Sequence, residues 1–322
     1  MRRDTSVESS RTGAGIAGLI PIYLRGVAMG AADIIPGVSG GTMALILGIY
    51  ERLIEALRSI ARPPFLRALF SGKFGRAFAI IDAAFLVALV AGIATSVVTL
   101  ARLLSHLLET HPEFVFAFFF GLVFASVILV AQRIRSVTLW SWLLFAAGAV
   151  AAFLLVGLSP AETPDAAWFL FLSGAVAISA LLLPGISGAF VLVLLGKYSY
   201  VLGAVTRGDI GALLAVGAGA VFGVLSFTQL LGWLFRKYHD ATLALLCGVM
   251  LGSLRKVWPW QAEVDGRLVN LLPKDGFWSA DGGAGWAILL ALVGALLVVG
   301  LDYVAAQEER RAEAARRPAE AD

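Results

Sequence analysis

Hydrophobic positions in this chain come in long unbroken runs. Ala77 to Leu100, Phe114 to Ala131 and Ala287 to Val299 are apolar almost throughout, near the roughly 20 residues a helix needs to cross a bilayer core. The pattern predicts six full spans, at about 78–101, 114–131, 138–158, 210–235, 241–254 and 284–303, the fifth being the shortest. Two other apolar stretches, Gly15 to Tyr50 and Ala166 to Tyr198, are too long for one straight span and are interrupted by Pro and Gly. From Tyr50 to Ala61, Leu53, Ile54, Leu57 and Ile60 alternate with Arg52, Glu55 and Arg58. That predicts a helix lying on the membrane surface with its charges in water.

The two interrupted stretches contain the same segment. Pro36-Gly37-Val38-Ser39-Gly40 aligns with Pro184-Gly185-Ile186-Ser187-Gly188, and the alignment continues to pair Leu47 with Leu195, Gly48 with Gly196 and Tyr50 with Tyr198. A fainter pair follows, Gly121 to Ser126 with Gly248 to Ser253. Two halves, residues 15–158 and 159–303, flanked by tails at 1–14 and 304–322, describe this self-similarity.

Composition places the chain in a membrane. Of 322 residues, 59% are hydrophobic and 15% charged, with a mean hydropathy of +0.87, against about 25% charged in soluble domains. The distribution of Lys and Arg then chooses between stretches that cross and stretches that dip in and return, because basic residues collect in cytoplasmic loops. With both stretches re-entrant, one side receives seventeen basic residues and the other seven, with Arg25 inside the first stretch. Full crossing in both places leaves ten on the inside and fourteen on the outside. The re-entrant arrangement puts both termini in the cytoplasm. It also puts three crossings between the motifs, so the second half enters the membrane inverted. The expected fold is therefore an all-α polytopic membrane protein of two inverted repeats, each a re-entrant helical hairpin plus three transmembrane helices, with the binding site where the broken segments meet.

Several residue types narrow the chemistry. No cleavage site follows the basic N-terminus, so no removable signal peptide is expected. The single Cys247 leaves no intramolecular disulfide and reads as a packing residue. His106, His111 and His239 are not spaced as metal ligands, and neither a metal, a cofactor nor a nucleic-acid partner is expected. Most tryptophans, among them Trp140, Trp142, Trp168 and Trp233, fall near span ends as interfacial anchors.

Irregular backbone at membrane depth persists only where protein or a wet cavity surrounds it. The motifs thus mark a cavity or a tight packing point. Gly37, Gly40 and Gly41, with Gly185 and Gly188 in the second copy, let the chain turn and let another group approach the backbone. The amides of a helix restarting near Thr42 suit an anion, and Ser39, Thr42 and Ser187 can add hydroxyl donors. The same residues also suit simple helix capping.

Ionisable groups inside apolar segments are the next candidates. Arg25 and Asp33 are separated by about 12 Å along a helix and about 80° around it, so they do not pair directly. Asp33 suits either a coupling proton or a hydrogen bond to the motif's own amides, and it aligns with Leu181 in the second copy. Arg207 and Arg255 fall near outer span ends and Gln229 inside a span, positions suited to an entering phosphate or to interfacial anchoring.

The segments Ala31 to Thr42 and Leu183 to Phe190 resemble the paired signatures of the bacterial polyprenyl-phosphate transporter family (PopT), and the similarity covers roughly Gly15 to Tyr303. It implies a flippase that returns undecaprenyl phosphate from the outer to the inner leaflet of the bacterial inner membrane, so that the lipid carrier is reused in peptidoglycan and other envelope synthesis. The lipid is then the partner, a proton or ion the coupling species, and no catalysis is expected. Two other readings stand beside it. An undecaprenyl-pyrophosphate phosphatase also carries Pro-Gly-x-Ser, but there Arg and Ser follow where Gly40 and Gly41 stand here, which removes the guanidinium that would stabilise a transferring phosphoryl group. An anion channel also uses opposed half-helices.

Overall fold

Apolar length and a few polar caps decide where the helices fall. The computed structural model describes residues 16–35, 38–264, 267–273, 277–278 and 283–316. The first half runs α1 (Ile16–Ile34), α2 (Gly40–Ile46), α3 (Tyr50–Ser59), α4 (Pro63–Phe70), α5 (Phe74–Ile80), α6 (Ala83–Thr110), α7 (Pro112–Ala131) and α8 (Leu139–Val156). The second runs α9 (Ala167–Leu182), α10 (Gly188–Leu194), α11 (Tyr198–Arg207), α12 (Ile210–Lys237), α13 (His239–Ser253), a 3₁₀ turn (Leu254–Val257), the antiparallel strands β1 (Gln261–Val264) and β2 (Arg267–Asn270), and α14 (Ala284–Arg316). Local chemistry fixes several starts. Pro112 opens α7 at a position whose amide would have no helical partner, Thr138 and Ser141 form a capping box on α8, and Asp209 Oδ1 accepts from Ala212 N at 3.0 Å on α12.

The chain is a multi-pass, all-α membrane protein. Among the described residues five helices, α6, α7, α8, α12 and α14, are long and apolar enough to cross a bilayer, and the bent pair α10 and α11 would make a sixth span if it crosses as one. Their outer faces are apolar as well: Val98, Leu214 and Leu296 are all more than 60% exposed, which water would penalise and lipid would not.

The helices associate in four close pairs, α1 with α6, α9 with α12, α7 with α14 and α8 with α13. Each pair crosses at a glycine packed on its partner's carbonyl. Gly26 meets Leu89, Gly219 meets Phe171, Gly121 meets Ala291 and Gly248 meets Phe145, and a Cβ at any of them would run into that oxygen. Small residues at such crossings let backbones approach where lipid supplies no hydrophobic drive. The contacts also give direction. Gly26 packs on Leu89 and Gly92, and Gly30 one turn later packs on Ile93 and Ser96, so α1 and α6 run the same way. By the same logic α9 runs with α12, because Phe171 meets Gly219 and Ala175 meets Gly223.

The structure departs from the sequence pattern in three places. The first span begins at Ala83 and not near 78, because Asp82 adopts a left-handed conformation (φ 51°) that separates α5 from α6. Its carboxylate is held by Arg52 at 2.8 Å. Of the charges of α3, Arg52 and Glu55 are exposed, as the pattern predicts, but Arg58 is not. Arg58 is only 8% exposed, and its Nε donates to Gln229 Oε1 at 2.8 Å while Gln229 Nε2 donates to the Arg58 carbonyl at 2.8 Å, fastening α3 to α12. Finally, the β1–β2 hairpin interrupts an otherwise helical chain.

Candidate functional site

The repeated sequence folds into repeated local geometry. α2 and α10 are both seven-residue half-helices that start at the second Gly of the motif. Both end in a turn that needs glycine. Gly48 (φ 70°) and Gly196 (φ 64°) occupy the left-handed region, so that Ile49 N reaches back to Ala44 O at 2.9 Å and Lys197 N to Leu192 O at 2.8 Å. In the second half this turn sets α10 and α11 at 101° to each other.

The two motifs touch. Gly185 N donates to Thr42 Oγ1 at 2.8 Å. Ser39 Oγ lies 3.3 Å from Leu181 O and 3.4 Å from Leu183 O, and Tyr50 OH donates to Leu182 O at 2.7 Å. Gly41 is packed closely, since a Cβ there would lie 3.2 Å from Leu182 O and 3.3 Å from Leu181 O, and these carbonyls would have to give by a few tenths of an ångström. The carbonyls at the unravelling end of α9, which a helix terminus leaves without internal partners, are thus taken up by hydroxyls from the first half.

The first motif is saturated by the protein itself. Gly40 N donates to Asp33 Oδ1 at 2.5 Å and Gly41 N to Ser39 Oγ at 3.1 Å. Thr42 N bonds Ser39 O at 2.9 Å, and Ser39 and Thr42 are fully buried. Of the two roles open to Asp33, the hydrogen bond to the motif's own amide is the one the geometry contains. The far end of α2 is closed by Arg133, which donates to Leu45 O at 3.1 Å and Ile46 O at 3.2 Å and pairs with Asp302 of α14 at 2.6 Å.

The second motif is not saturated. Ser187 precedes α10 as Ser39 precedes α2, yet its side chain makes no capping bond and is only half-buried. Leu181 stands where Asp33 stands and offers no acceptor. Gly188 is packed against the carbonyl of Ala177, and Gly185 (φ 87°) lies against Met250 and Ser253. A cation stands nearby, with Lys256 Nζ 4.8 Å from the ring centre of Phe190 in the first turn of α10. The end of α10 is closed by the segment before α9: Ala161 N bonds Leu194 O at 2.9 Å, Thr163 Oγ1 bonds Leu195 O at 2.5 Å, and the buried Lys197 pairs with Asp165 at 2.6 Å.

The residues expected at the site therefore divide. Ser39, Gly40, Gly41, Thr42, Gly185 and Asp33 form one connected cluster, with Ser187 and Gly188 at its edge, while Gly37 lies outside the described residues. Arg25 is on α1 next to the Gly26 crossing, away from Asp33. Among the described residues, Arg207, Gln229 and Arg255 make no hydrogen bond to either motif. Arg207 is exposed and lies back over Gly203 of its own helix. Gln229 is engaged by Arg58. Arg255 donates to Phe153 O at 3.1 Å and stacks on that ring at 4.5 Å. Tyr50, Arg133 and Lys256 join the site without having been singled out. Only Tyr50 carried a signal, its match to Tyr198.

This arrangement can hold polar groups and an anion's oxygens inside an apolar bundle, and among the described residues it has no cluster of metal-ligating side chains. Residues 29–270 match the family model described as VCA0040-like, undecaprenyl phosphate translocase-like. The chain is 42% identical over 296 residues to a polyprenyl-phosphate transporter of Vibrio cholerae serotype O1, covering 88% of this chain and 96% of that protein. It is 32% identical over 255 residues to a polyprenyl-phosphate transporter of Staphylococcus aureus, covering 73% and 85%. No solved structure matches it significantly.

Proposed function

The chain belongs to the VCA0040-like, undecaprenyl phosphate translocase-like family, and from that premise we propose that it transports polyprenyl phosphate across the bacterial inner membrane. The substrate is undecaprenyl phosphate, moved from the outer to the inner leaflet for reuse in envelope synthesis. The observation that carries the reading is the hydrogen bond between the motifs, Gly185 N to Thr42 Oγ1, with Ser187 left open beside it. A lipid phosphate crossing an apolar core needs hydrogen-bond donors at depth. Here they come from two broken segments that meet inside the bundle.

The phosphate binds on the second-motif side, where Ser187 and the backbone at Gly188 are not closed by an Asp33 equivalent and Lys256 supplies positive charge. The isoprenoid tail stays against the apolar outer faces of the spans. The parallel course of α1 with α6, and of α9 with α12, supports re-entrant segments in both halves, and the repeated turns at Gly48 and Gly196 support two repeats inverted in the membrane with cytoplasmic termini. Rocking one repeat against the other then exposes the phosphate site to each leaflet in turn. Asp33 is the group that takes up a coupling proton, releasing Gly40 N as it does so. The protein acts as a transporter and not a phosphatase, since neither motif carries an arginine for a transferring phosphoryl group.

Reconstitution into liposomes with undecaprenyl phosphate in one leaflet tests the proposal. Accelerated equilibration of the intact lipid over protein-free liposomes is expected. Unchanged equilibration overturns the transport reading, and release of inorganic phosphate overturns the non-enzymatic one.

A further inference from the structure

A cavity away from the motifs lies at the end of the bundle where α8 and α13 begin. It encloses about 580 Å³ between the α7–α8 and α12–α13 connections. Its wall carries Arg135 and Lys237, the hydroxyls of Thr138 and Ser141, and Asp240. α8 and α13 run side by side in the same direction, since Phe145 meets Gly248 and Ala149 meets Gly252. Both therefore present their N-termini, each carrying partial positive charge, to the same space.

The acidic groups here are already occupied. Asp240 accepts from Ser136 N at 2.9 Å and lies 3.3 Å from His239 Nδ1, while His239 Nε2 faces Glu51 at 3.0 Å. Arg135 and Lys237 remain as exposed cations. Lys237 Nζ is held over the rings of Trp233 and Tyr238 at 5.6 and 5.3 Å. The surroundings are those of a membrane surface: Leu139, Trp140 and Trp142 of the first turn of α8 are exposed, as is Trp233. Aromatic side chains in such positions sit at the headgroup level.

We propose that this cavity is a binding site for the phosphate headgroup of an anionic membrane lipid, held by Arg135 and Lys237 over the joined starts of α8 and α13. A soluble anion would gain nothing from the apolar rim. A lipid places its phosphodiester on the cations and its glycerol and first methylenes against Trp140 and Trp142. The site is separate from the two motifs and does not depend on the transport reading, so either can fail without the other.

Native mass spectrometry of the full chain, released from nanodiscs containing phosphatidylglycerol and phosphatidylcholine, tests it. The wild type should retain phosphatidylglycerol over phosphatidylcholine. Arg135→Gln/Lys237→Gln should lower that retention at least about tenfold, as expected when charge-assisted contacts to a phosphate are lost, and Arg135→Lys/Lys237→Arg should restore most of it. Both side chains are exposed, and a melting curve matching the wild type shows that each variant is folded. Equal retention by the Gln variant overturns the proposal, as does equal retention of the two lipids. Binding of inorganic phosphate, measured separately by titration, without retention of phosphatidylglycerol also overturns it.

Discussion

The two motifs share a sequence and a backbone, yet one is closed and the other open. In the first, Asp33, Ser39 and Thr42 satisfy nearly every polar group within reach, including an amide and carbonyls of the second. In the second, Ser187 makes no capping bond and no hydrogen bond to another described residue, and Leu181 replaces the carboxylate. Their far ends differ in the same way. α2 is capped by one guanidinium, Arg133, tied to a distant helix, whereas α10 is capped by the adjoining segment around Thr163 and Lys197. The repeated element has thus kept its local fold in both places while its side-chain partners differ, closed in the first copy and open at Ser187 in the second.

The largest expected loss of stability comes from the residue that joins the copies. Gly185 combines a φ of 87° with contact to Met250 and Ser253. Gly185→Ala should therefore lower unfolding stability by about 3 kcal/mol, the upper part of the cost of a strained backbone conformation. The melting transition in mild detergent measures it. Next is Thr42→Val, which keeps the shape and removes the acceptor for Gly185 N. A buried amide left without a partner costs about 2 kcal/mol, and Thr42→Ser should recover most of it. If Thr42→Val melts like the wild type, the motifs are not held together by this bond.

The sequence made the local parts of this comparison visible and hid the tertiary ones. Most span positions followed from apolar length, although α13, at 15 residues, is shorter than the other predicted spans. The pairing of Gly48 with Gly196 was visible as an alignment, but not the left-handed turn that each forms. Asp33 sits seven residues from Gly40, close enough in sequence for its bond to that amide to be one of two readings open beforehand. Arg58 was misread because an amphipathic pattern records which residues are charged and not what faces them. Its partner Gln229 is 171 residues away. Lys256 and Arg133 carry no pattern, since each reaches its half-helix from a turn just after a helix, α13 and α7 respectively. The β1–β2 hairpin escaped because two four-residue strands are too short to show alternation.

The smallest stability effects bear most directly on function. Ser39→Ala removes the acceptor for Gly41 N and the donor to the end of α9, and should cost about 1 kcal/mol, the usual value for a helix N-cap. Ser187→Ala occupies the matching position with nothing to lose. Its hydroxyl bonds to no described residue, so its melting transition should stay within about 0.5 kcal/mol of the wild type. If the open copy receives the lipid phosphate, the same substitution should slow undecaprenyl phosphate flipping several-fold, because a phosphate oxygen at membrane depth loses a donor that water cannot replace there. Ser187→Thr, which keeps the hydroxyl, should preserve more activity than Ser187→Ala. Slower flipping without a change in melting assigns Ser187 to the substrate. The opposite pattern, a large loss of stability with normal flipping, makes it a structural cap like Ser39 and removes the functional distinction between the two copies.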